Sequence, residues 1–250
     1  MYLIRFLFLL LLSSSACAVS HDPILESIKP GVITFIGESH QRMESAKFIK
    51  ILVDEALKRN QCLTVALEIN VNQQPVIDRV MTEGAAVATI AISKVLDHRA
   101  MRRMIKHMAA LKTKFPCLKV IAIDTGIDTP YDRDAWMAAR LAGLKSNSPV
   151  LVLLGSLHTL KKVDWLVASG KPRVAEILVN KNFRVKSFPQ RWIPDQCPNN
   201  ARRYYRFVDV DSPEAVTILN ESLMSLINAK PHKTAKGVVD GFVLWECGKL

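Results

Sequence analysis

Residues 32–40, VITFIGESH, join an apolar run to a Gly-x-x-His element, and this stretch decides how the rest of the chain is interpreted. Residues 150–158, VLVLLGSLH, repeat the arrangement. Near-continuous apolar runs of this length are typical of strands that a parallel sheet buries on both faces. His40 and His158 are therefore expected just beyond the carboxyl ends of two strands, where open α/β sheets bind their ligands.

Apolar runs of this kind alternate along the chain with segments of helical period, which is typical of an α/β fold with a largely parallel sheet. Strands are expected at residues 32–36, 63–69, 119–123, 150–154, 183–188 and 238–244. Helices are expected at residues 43–59, 101–111, 133–144, 173–179 and 213–227, with a further helix ending at the break in residues 170–172. Residues 191–211, which hold two prolines, two asparagines and a cysteine, are expected to form a disulfide-stapled loop.

The length and the amino terminus predict one exported domain. A chain of 250 residues with 49% hydrophobic content supports one sizeable core, and no low-complexity linker divides it. Residues 1–18 are typical of a signal peptide, with Arg5 before a short apolar run and an A-x-A cleavage site, so residues 19–250 form the expected domain. Cleavage after Ala18 releases the protein to the periplasm or medium. Processing at Cys17 instead gives a lipid-anchored form at a membrane surface.

Four cysteines remain after removal of the signal peptide, and an even number in an exported protein indicates disulfides. Cys62 and Cys117 each lie just before an expected strand, so neighbouring strands would start with the two sulfurs side by side. That pairing leaves Cys197 with Cys247, although three connectivities are possible in principle.

The chain carries a formal net charge of +11, with basic clusters at residues 99–106, 161–162 and 202–206. These clusters indicate solvated helix faces that favour an anionic envelope surface or an anionic ligand. Nucleic acid is not expected as a partner, because the chain lacks a nucleic-acid fold signature and is expected to be exported. A small molecule or a peptide is the expected substrate, and oligomerisation is left open.

Each of the four expected parallel strands ends in ionisable residues, which a core-filling role does not explain. In chain order they are Glu38 with His40, Glu68, Asp124 and His158. Imidazoles and carboxylates are the ligands of divalent metals such as Zn²⁺, Mn²⁺ and Co²⁺. We therefore expect a metal site formed by His40, His158 and Glu68.

Two further features are expected at the same edge. Arg133 begins a helix after the strand that ends in Asp124. A cation at this end of a helix opposes the helix dipole, so a compensating interaction is expected. A salt bridge to Glu68 or a negative charge on the substrate would supply that interaction. Gly37 and Gly155 are expected to permit the sharp turn at the strand ends and to let the backbone closely approach whatever the following histidine holds.

The order Gly-Glu-x-His (residues 37–40), a strand ending in Glu68, Arg-Asp-x-x-Met-Ala (residues 133–138) and Gly-x-x-His (residues 155–158) resembles a known superfamily. It includes the ChaN haem-binding lipoproteins, the erythromycin-esterase-like proteins and the TraB/Tiki group. The resemblance implies a three-layer α/β sandwich, with helices on both faces of the sheet and a site formed by Glu38, His40, Glu68, Arg133 and His158. Its members divide into metal-dependent proteases, esterase-like hydrolases and haem binders, and fold analogy does not choose among them.

Two functions are therefore expected, with a vestigial site in a structural domain as a third. The first is a metal-assisted hydrolase in which His40 and His158 bind the metal, Glu68 is a ligand or base, Glu38 activates water and Arg133 stabilises developing charge. The second is a protein that binds haem or another anionic ligand, with Tyr131 and His158 as the ligands of the iron.

Overall fold

The computed structural model describes residues 23–60, 62–126, 129–144, 147–198, 201–226 and 228–248. The expected signal peptide and Cys17 lie outside these residues. The helices are α1 Pro23–Ser27, α2 Met43–Asn60, α3 Gln74–Thr82, α4 Arg99–Lys112, α5 Arg133–Ala142, α6 Val174–Asn180 and α7 Pro213–Leu223. The strands are β1 Ile33–Glu38, β2 Thr64–Asn70, β3 Lys119–Asp124, β4 Val150–Gly155, β5 Val185–Trp192, β6 Arg203–Asp209 and β7 Gly241–Cys247.

The strands form one seven-stranded sheet in the order β3-β2-β4-β1-β5-β7-β6. Every neighbouring pair is parallel except β6 and β7, which are antiparallel. Side chains that alternate along the central strands enter two separate cores, one covered by α2, α3 and α4 and the other by α5 and α6. The expected three-layer α/β sandwich with a largely parallel sheet is confirmed.

Local signals account for several helix starts. Asp132 and Ser212 cap α5 and α7 by accepting the N–H groups of Ala135 and Ala215, and Pro213 occupies the first turn of α7. His98 caps α4 by accepting the N–H of Met101. This gives His98 a structural role.

Two expectations about secondary structure are wrong, and one helix was not foreseen. Residues 191–211 are not a continuous loop, because they contain β6, whose mixture of charged and aromatic residues lacks the regular alternation of a strand and hides its pairing with β7. No long helix precedes residue 170, since the N–H groups of Lys161 and Leu166 bond to the distant carbonyls of Val238 and Asn228. Finally, α3 was not expected at all.

Both expected disulfides are confirmed. Cys62 bonds to Cys117 ahead of the paired strands β2 and β3, and Cys197 bonds to Cys247 at the end of β7. Two disulfides are typical of proteins that fold in an oxidising compartment. Within the described ranges, none of the helices has the length and apolar character needed to cross a bilayer.

Candidate functional site

The carboxyl ends of four neighbouring strands bring the polar residues of the motifs to one edge of the sheet. Strands β3, β2, β4 and β1 lie side by side and run parallel. Glu38 at the end of β1 is in register with Gly155 at the end of β4. Asn70 at the end of β2 pairs with Asp124 at the end of β3, and Glu68 lies two residues earlier. Residues that are far apart in sequence therefore surround one cleft.

His40 follows β1 and pairs with the carboxylate at the end of that strand. Its Nδ1 lies 3.2 Å from Oε1 of Glu38, and Glu38 is only 4% exposed. Burial raises the pKa of the Glu38 carboxyl, and the hydrogen bond from His40 opposes that rise by favouring the carboxylate. The same hydrogen bond raises the pKa of the His40 imidazole. When Nδ1–H donates to Glu38, Nε2 of His40 keeps a lone pair that accepts a proton.

His158 belongs to a second histidine-carboxylate pair. It lies in the short 3-10 helix Ser156–Thr159 after β4, and its Nδ1 is 2.7 Å from Oδ1 of Asp134. The same oxygen accepts the backbone N–H of Val174 at 3.0 Å, and Oδ2 lies 3.4 Å from Nη1 of Arg173. Asp134 is thus buried and fixed by three partners, so it orients the ring of His158.

Asp134 is the site residue that sequence reasoning missed. In the sequence, a carboxylate in the first turn of α5 is explained by the helix dipole alone, without a specific partner. Its position directly after Arg133 was the available signal. Successive residues on a helix point in different directions, so Arg133 and Asp134 reach separate parts of the same cleft.

The absence of a side chain on Gly155 leaves the space between the two imidazoles open. A Cβ at this position would lie 3.3 Å from Cδ2 of His158, 3.4 Å from Cε1 of His40 and 3.6 Å from Nε2 of His40. Both rings therefore face the same point above the end of β4. Both imidazoles also line the cavity above this point, which is the space available to a ligand.

Gly37 and Gly155 permit the close approach expected of them, and neither adopts a left-handed backbone conformation at the turn. Neither Gly37 nor Gly155 has a positive φ. A Cβ on Gly37 would lie 2.8 Å from Cα of Ser156 and 3.0 Å from Cα of Pro189, so only glycine lets β1 approach these two segments.

Arg133 joins the ends of β2 and β3. Its Nε and Nη2 donate to the two oxygens of Asp124 at 2.8 Å each, and Nη2 also donates to Oε1 of Glu68 at 2.7 Å. Burial by itself raises the pKa of the Asp124 carboxyl. The hydrogen bonds and the charge of the Arg133 guanidinium outweigh burial and hold that pKa below its usual value. The expected salt bridge to Glu68 is confirmed. Within the described part of the chain, Nη1 of Arg133 makes no hydrogen bond.

Among the described residues, His40, His158 and Glu68 are not gathered into the expected metal site. Glu68 uses Oε1 for Arg133 and Oε2 for the N–H of Gly155, which lies 2.8 Å away. The described ranges contain no group of three or more His, Cys, Asp or Glu side chains arranged to hold a metal ion. Glu68 therefore positions Arg133 and Gly155, and it is not free to act as the expected ligand or base.

Two cavities meet at His40. One, of about 300 Å³, lies over Glu38, Gly155 and His158. Its outer wall includes Arg42, which donates to the backbone and carboxylate oxygens of Asp195 at 2.7 and 3.0 Å and whose guanidinium carbon lies 5.5 Å from the centre of the Trp192 ring.

The second cavity, of about 370 Å³, lies over Glu68, Asp124 and Arg133. Its far wall is the apolar segment that contains Ile92, Val95 and Leu96. A substrate held at His40 would therefore extend into two differently lined spaces.

Tyr131, the expected ligand of haem iron, and Ser156, which lies two residues before His158, are further reactive groups near this edge. Tyr131 is 61% exposed just before α5, and its ring lies against Trp136 with centroids 5.2 Å apart. The hydroxyl of Ser156 donates to the carbonyl of Glu38 at 3.1 Å, and none of the described histidines forms a hydrogen bond with it.

Known proteins were compared with the chain by sequence and by structure. No family model matches it, and no curated protein matches its sequence significantly. A mutant of the erythromycin esterase EreC in its open conformation superposes with a TM-score of 0.58 at 9% identity, over 91% of this chain and 93% of the esterase. ChaN of Campylobacter jejuni, described with cofacially bound haem, superposes with a TM-score of 0.50 at 14% identity, over 68% of this chain and 85% of ChaN. The chain therefore has the fold of the ChaN and erythromycin-esterase structures.

Proposed function

We propose that the chain is a hydrolase that cleaves an ester or amide with a water molecule activated by His40. The observation that carries the proposal is the pair of imidazoles around Gly155, each with Nδ1 held by a carboxylate. Two histidine-carboxylate pairs that face one cleft supply a proton acceptor and a proton donor for one carbonyl group. The fold shared with an erythromycin esterase agrees with this chemistry and does not establish it.

His40 is the proposed general base. Glu38 accepts its Nδ1–H, so Nε2 takes a proton from the water molecule as the water oxygen attacks the carbonyl carbon. The Glu38 carboxylate stabilises the imidazolium that forms, which raises the driving force for this proton transfer. Glu38 thus acts through His40 and does not contact the water itself.

His158 is the proposed general acid. In its protonated form, Nδ1–H donates to Asp134 and Nε2–H points a proton at the leaving oxygen or nitrogen. Transfer of that proton as the bond to the carbonyl carbon breaks yields a carboxylic acid and an alcohol or amine. Because Asp134 is itself held by Val174 and Arg173, the ring is oriented before the substrate arrives.

Arg133 is the proposed stabiliser of the negative charge that develops on the carbonyl oxygen. Its Nη2 is bound to Glu68 and Asp124, which fix the plane of the guanidinium and leave Nη1 for a ligand. A preorganised cation costs no reorganisation when the charge appears.

Hydrolysis of a panel of nitrophenyl esters, lactones and amides tests the proposal. We expect His40→Ala to lower kcat/KM by a factor of about 10² to 10⁴. His107→Ala is the matched control, since His107 pairs with Asp54 between α2 and α4 and lies outside the cleft. Absence of turnover by the native protein, or equal losses in both variants, would contradict the proposal.

Removal of metal separates this mechanism from the metal-assisted one. Because Glu68 is bound to Arg133 and Gly155, we expect hydrolysis to persist after dialysis against a chelator. Loss of activity that added Zn²⁺, Mn²⁺ or Co²⁺ restores would instead favour metal assistance.

Haem binding is the second candidate function. Tyr131 presents an exposed phenol beside Trp136, and the Asp134 contact at Nδ1 of His158 leaves Nε2 for iron. The fold shared with the haem-bound ChaN structure supports a direct test. A Soret shift on titration with haemin that Tyr131→Phe and His158→Ala both weaken would support it, and a shift that neither variant changes would count against it.

A further inference from the structure

Helix α4 carries a basic stripe, formed by Arg99, Arg103 and Lys106, that no part of the candidate site uses. These residues are spaced four and three positions apart and are all exposed, so they share the outer face of the helix. The apolar residues of α4 face the core. The helix has no acidic residue.

Folding does not explain the basic stripe. Arg99 opens the helix, where a cation opposes the dipole, and Arg103 adds a like charge four residues later. Within the described ranges, none of the three cations forms an ion pair, whereas Arg102 on the same helix is bound to Asp97 at 2.7 Å. The stripe is therefore intrinsically unfavourable for the helix and is available to an external anion.

An apolar groove of about 650 Å³ lies beside the stripe. It runs between α4 and the segment after α3, and Lys106 lies at its rim. Its other lining residues are mainly small and apolar, among them Val80, Ala86, Val87, Ala109 and Ala110. The surface thus offers cationic and apolar contacts next to each other.

We propose that this face of α4, the basic stripe with its adjoining groove, binds the surface of a bilayer that contains anionic phospholipid. A lipid surface supplies phosphate charge for the stripe, and the acyl chains directly beneath the phosphates supply apolar contacts for the groove. A free anion would satisfy the charge and leave the groove unused. A nucleic acid would do the same, since the groove holds no aromatic side chain on which a base could stack.

Co-sedimentation with vesicles tests this proposal. The native protein is expected to bind vesicles of phosphatidylglycerol in phosphatidylcholine and not vesicles of phosphatidylcholine alone. The variant Arg99→Gln/Arg103→Gln/Lys106→Gln is expected to bind the anionic vesicles roughly 100-fold more weakly. Circular dichroism and thermal unfolding establish that the variant is folded.

The control removes three positive charges elsewhere. Arg140→Gln/Lys181→Gln/Lys233→Gln has the same net charge as the α4 variant, and all three control residues are exposed outside α4. We expect this control to bind like the native protein. Equal losses in both variants would overturn the proposal, because binding would then reflect net charge alone. Failure of the native protein to bind anionic vesicles, or full displacement by soluble glycerophosphate, would also overturn it.

Discussion

At the scale of single residues, the candidate site depends on which atom of each side chain is already bound. Nδ1 of His40 and Nδ1 of His158 are held by carboxylates, and both oxygens of Glu68 are used within the protein. Within the described residues, the two Nε2 atoms and Nη1 of Arg133 make no hydrogen bond, so they are available to a ligand. These atoms are suited to moving protons and stabilising charge.

Gly155→Ala is predicted to lower the hydrolytic activity strongly with little loss of stability. The added Cβ would enter the space between His40 and His158, where its contacts of 3.3 to 3.6 Å are tight and involve side chains that yield by small shifts. We expect kcat/KM to fall by about 10²-fold because the reacting groups are displaced. The free energy of unfolding, measured with urea, is expected to change by less than about 1.5 kcal/mol. Unchanged kinetics would show that the reaction does not use this space.

Glu38→Gln is predicted to shift the pH dependence of hydrolysis. A general base works when deprotonated, so kcat/KM rises with pH through the raised pKa of His40. Without the carboxylate, that pKa falls, and the ascending limb moves to lower pH while the plateau drops. Asp54→Asn makes the matching change at His107 and is expected to leave the profile unchanged. An ascending limb that stays in place in Glu38→Gln would assign the titration to another group.

At the scale of elements, the two disulfides join different parts of the sheet. Cys62–Cys117 ties the amino ends of β2 and β3, away from the cleft. Cys197–Cys247 ties the end of β7 to the segment after β5, in which Asp195 holds Arg42 in the cavity wall. Their sequence separations of 55 and 50 residues are nearly equal, so their effects on the unfolded chain should be alike.

Removing each disulfide is predicted to cost similar stability and to differ in kinetics. We expect Cys62→Ser/Cys117→Ser and Cys197→Ser/Cys247→Ser each to lower the free energy of unfolding by about 4 kcal/mol. Only the second pair should raise KM, because Asp195 then no longer fixes Arg42 beside the substrate. Denaturant unfolding and steady-state kinetics below the unfolding temperature check both parts. Equal KM values in the two variants would show that Arg42 and Asp195 do not contribute to substrate binding.

At the scale of the whole molecule, Arg133 fastens the edge of the sheet on which the site is built. It connects α5 to the ends of β2 and β3, and Glu68 extends the connection to β4 through Gly155. The pKa of Asp124 is lowered in the folded state, so its stabilising contribution is present above the unfolded pKa and is lost as pH falls through the folded value.

Arg133→Met is predicted to destabilise the fold by about 3 to 5 kcal/mol at pH 7, since two buried carboxylates lose their partner. The difference in the free energy of unfolding between the native protein and this variant should become smaller as the pH falls, because protonation neutralises the unpaired carboxylates of Glu68 and Asp124. Urea unfolding of both proteins at pH 7 and pH 4 measures the difference. Arg140→Met, an exposed change on the same helix, is the control and is expected to be nearly neutral. A deficit that does not depend on pH would contradict the ion-pair explanation.

Local sequence determined much of this protein. Apolar runs predicted the buried parallel strands, the cysteines that precede two of them predicted the disulfide pairing, and the ionisable residues at strand ends predicted the edge that carries the site. These signals depend on neighbours within a few residues, which is why a single sequence is enough to interpret them.

Only the tertiary structure decided how the site residues are used. Asp134 reaches His158 and Arg133 reaches Glu68 across the sheet edge, over 24 and 65 residues of sequence. Likewise, β6 is a strand because β7 supplies its hydrogen bonds. The physical reason is that a polar atom forms its hydrogen bonds with whichever partner lies nearest in space. The spacing of residues along the chain does not specify that partner. The sequence therefore located the site, while the fold directed Glu68 to Arg133 and Gly155 and left the two histidines facing the open cleft.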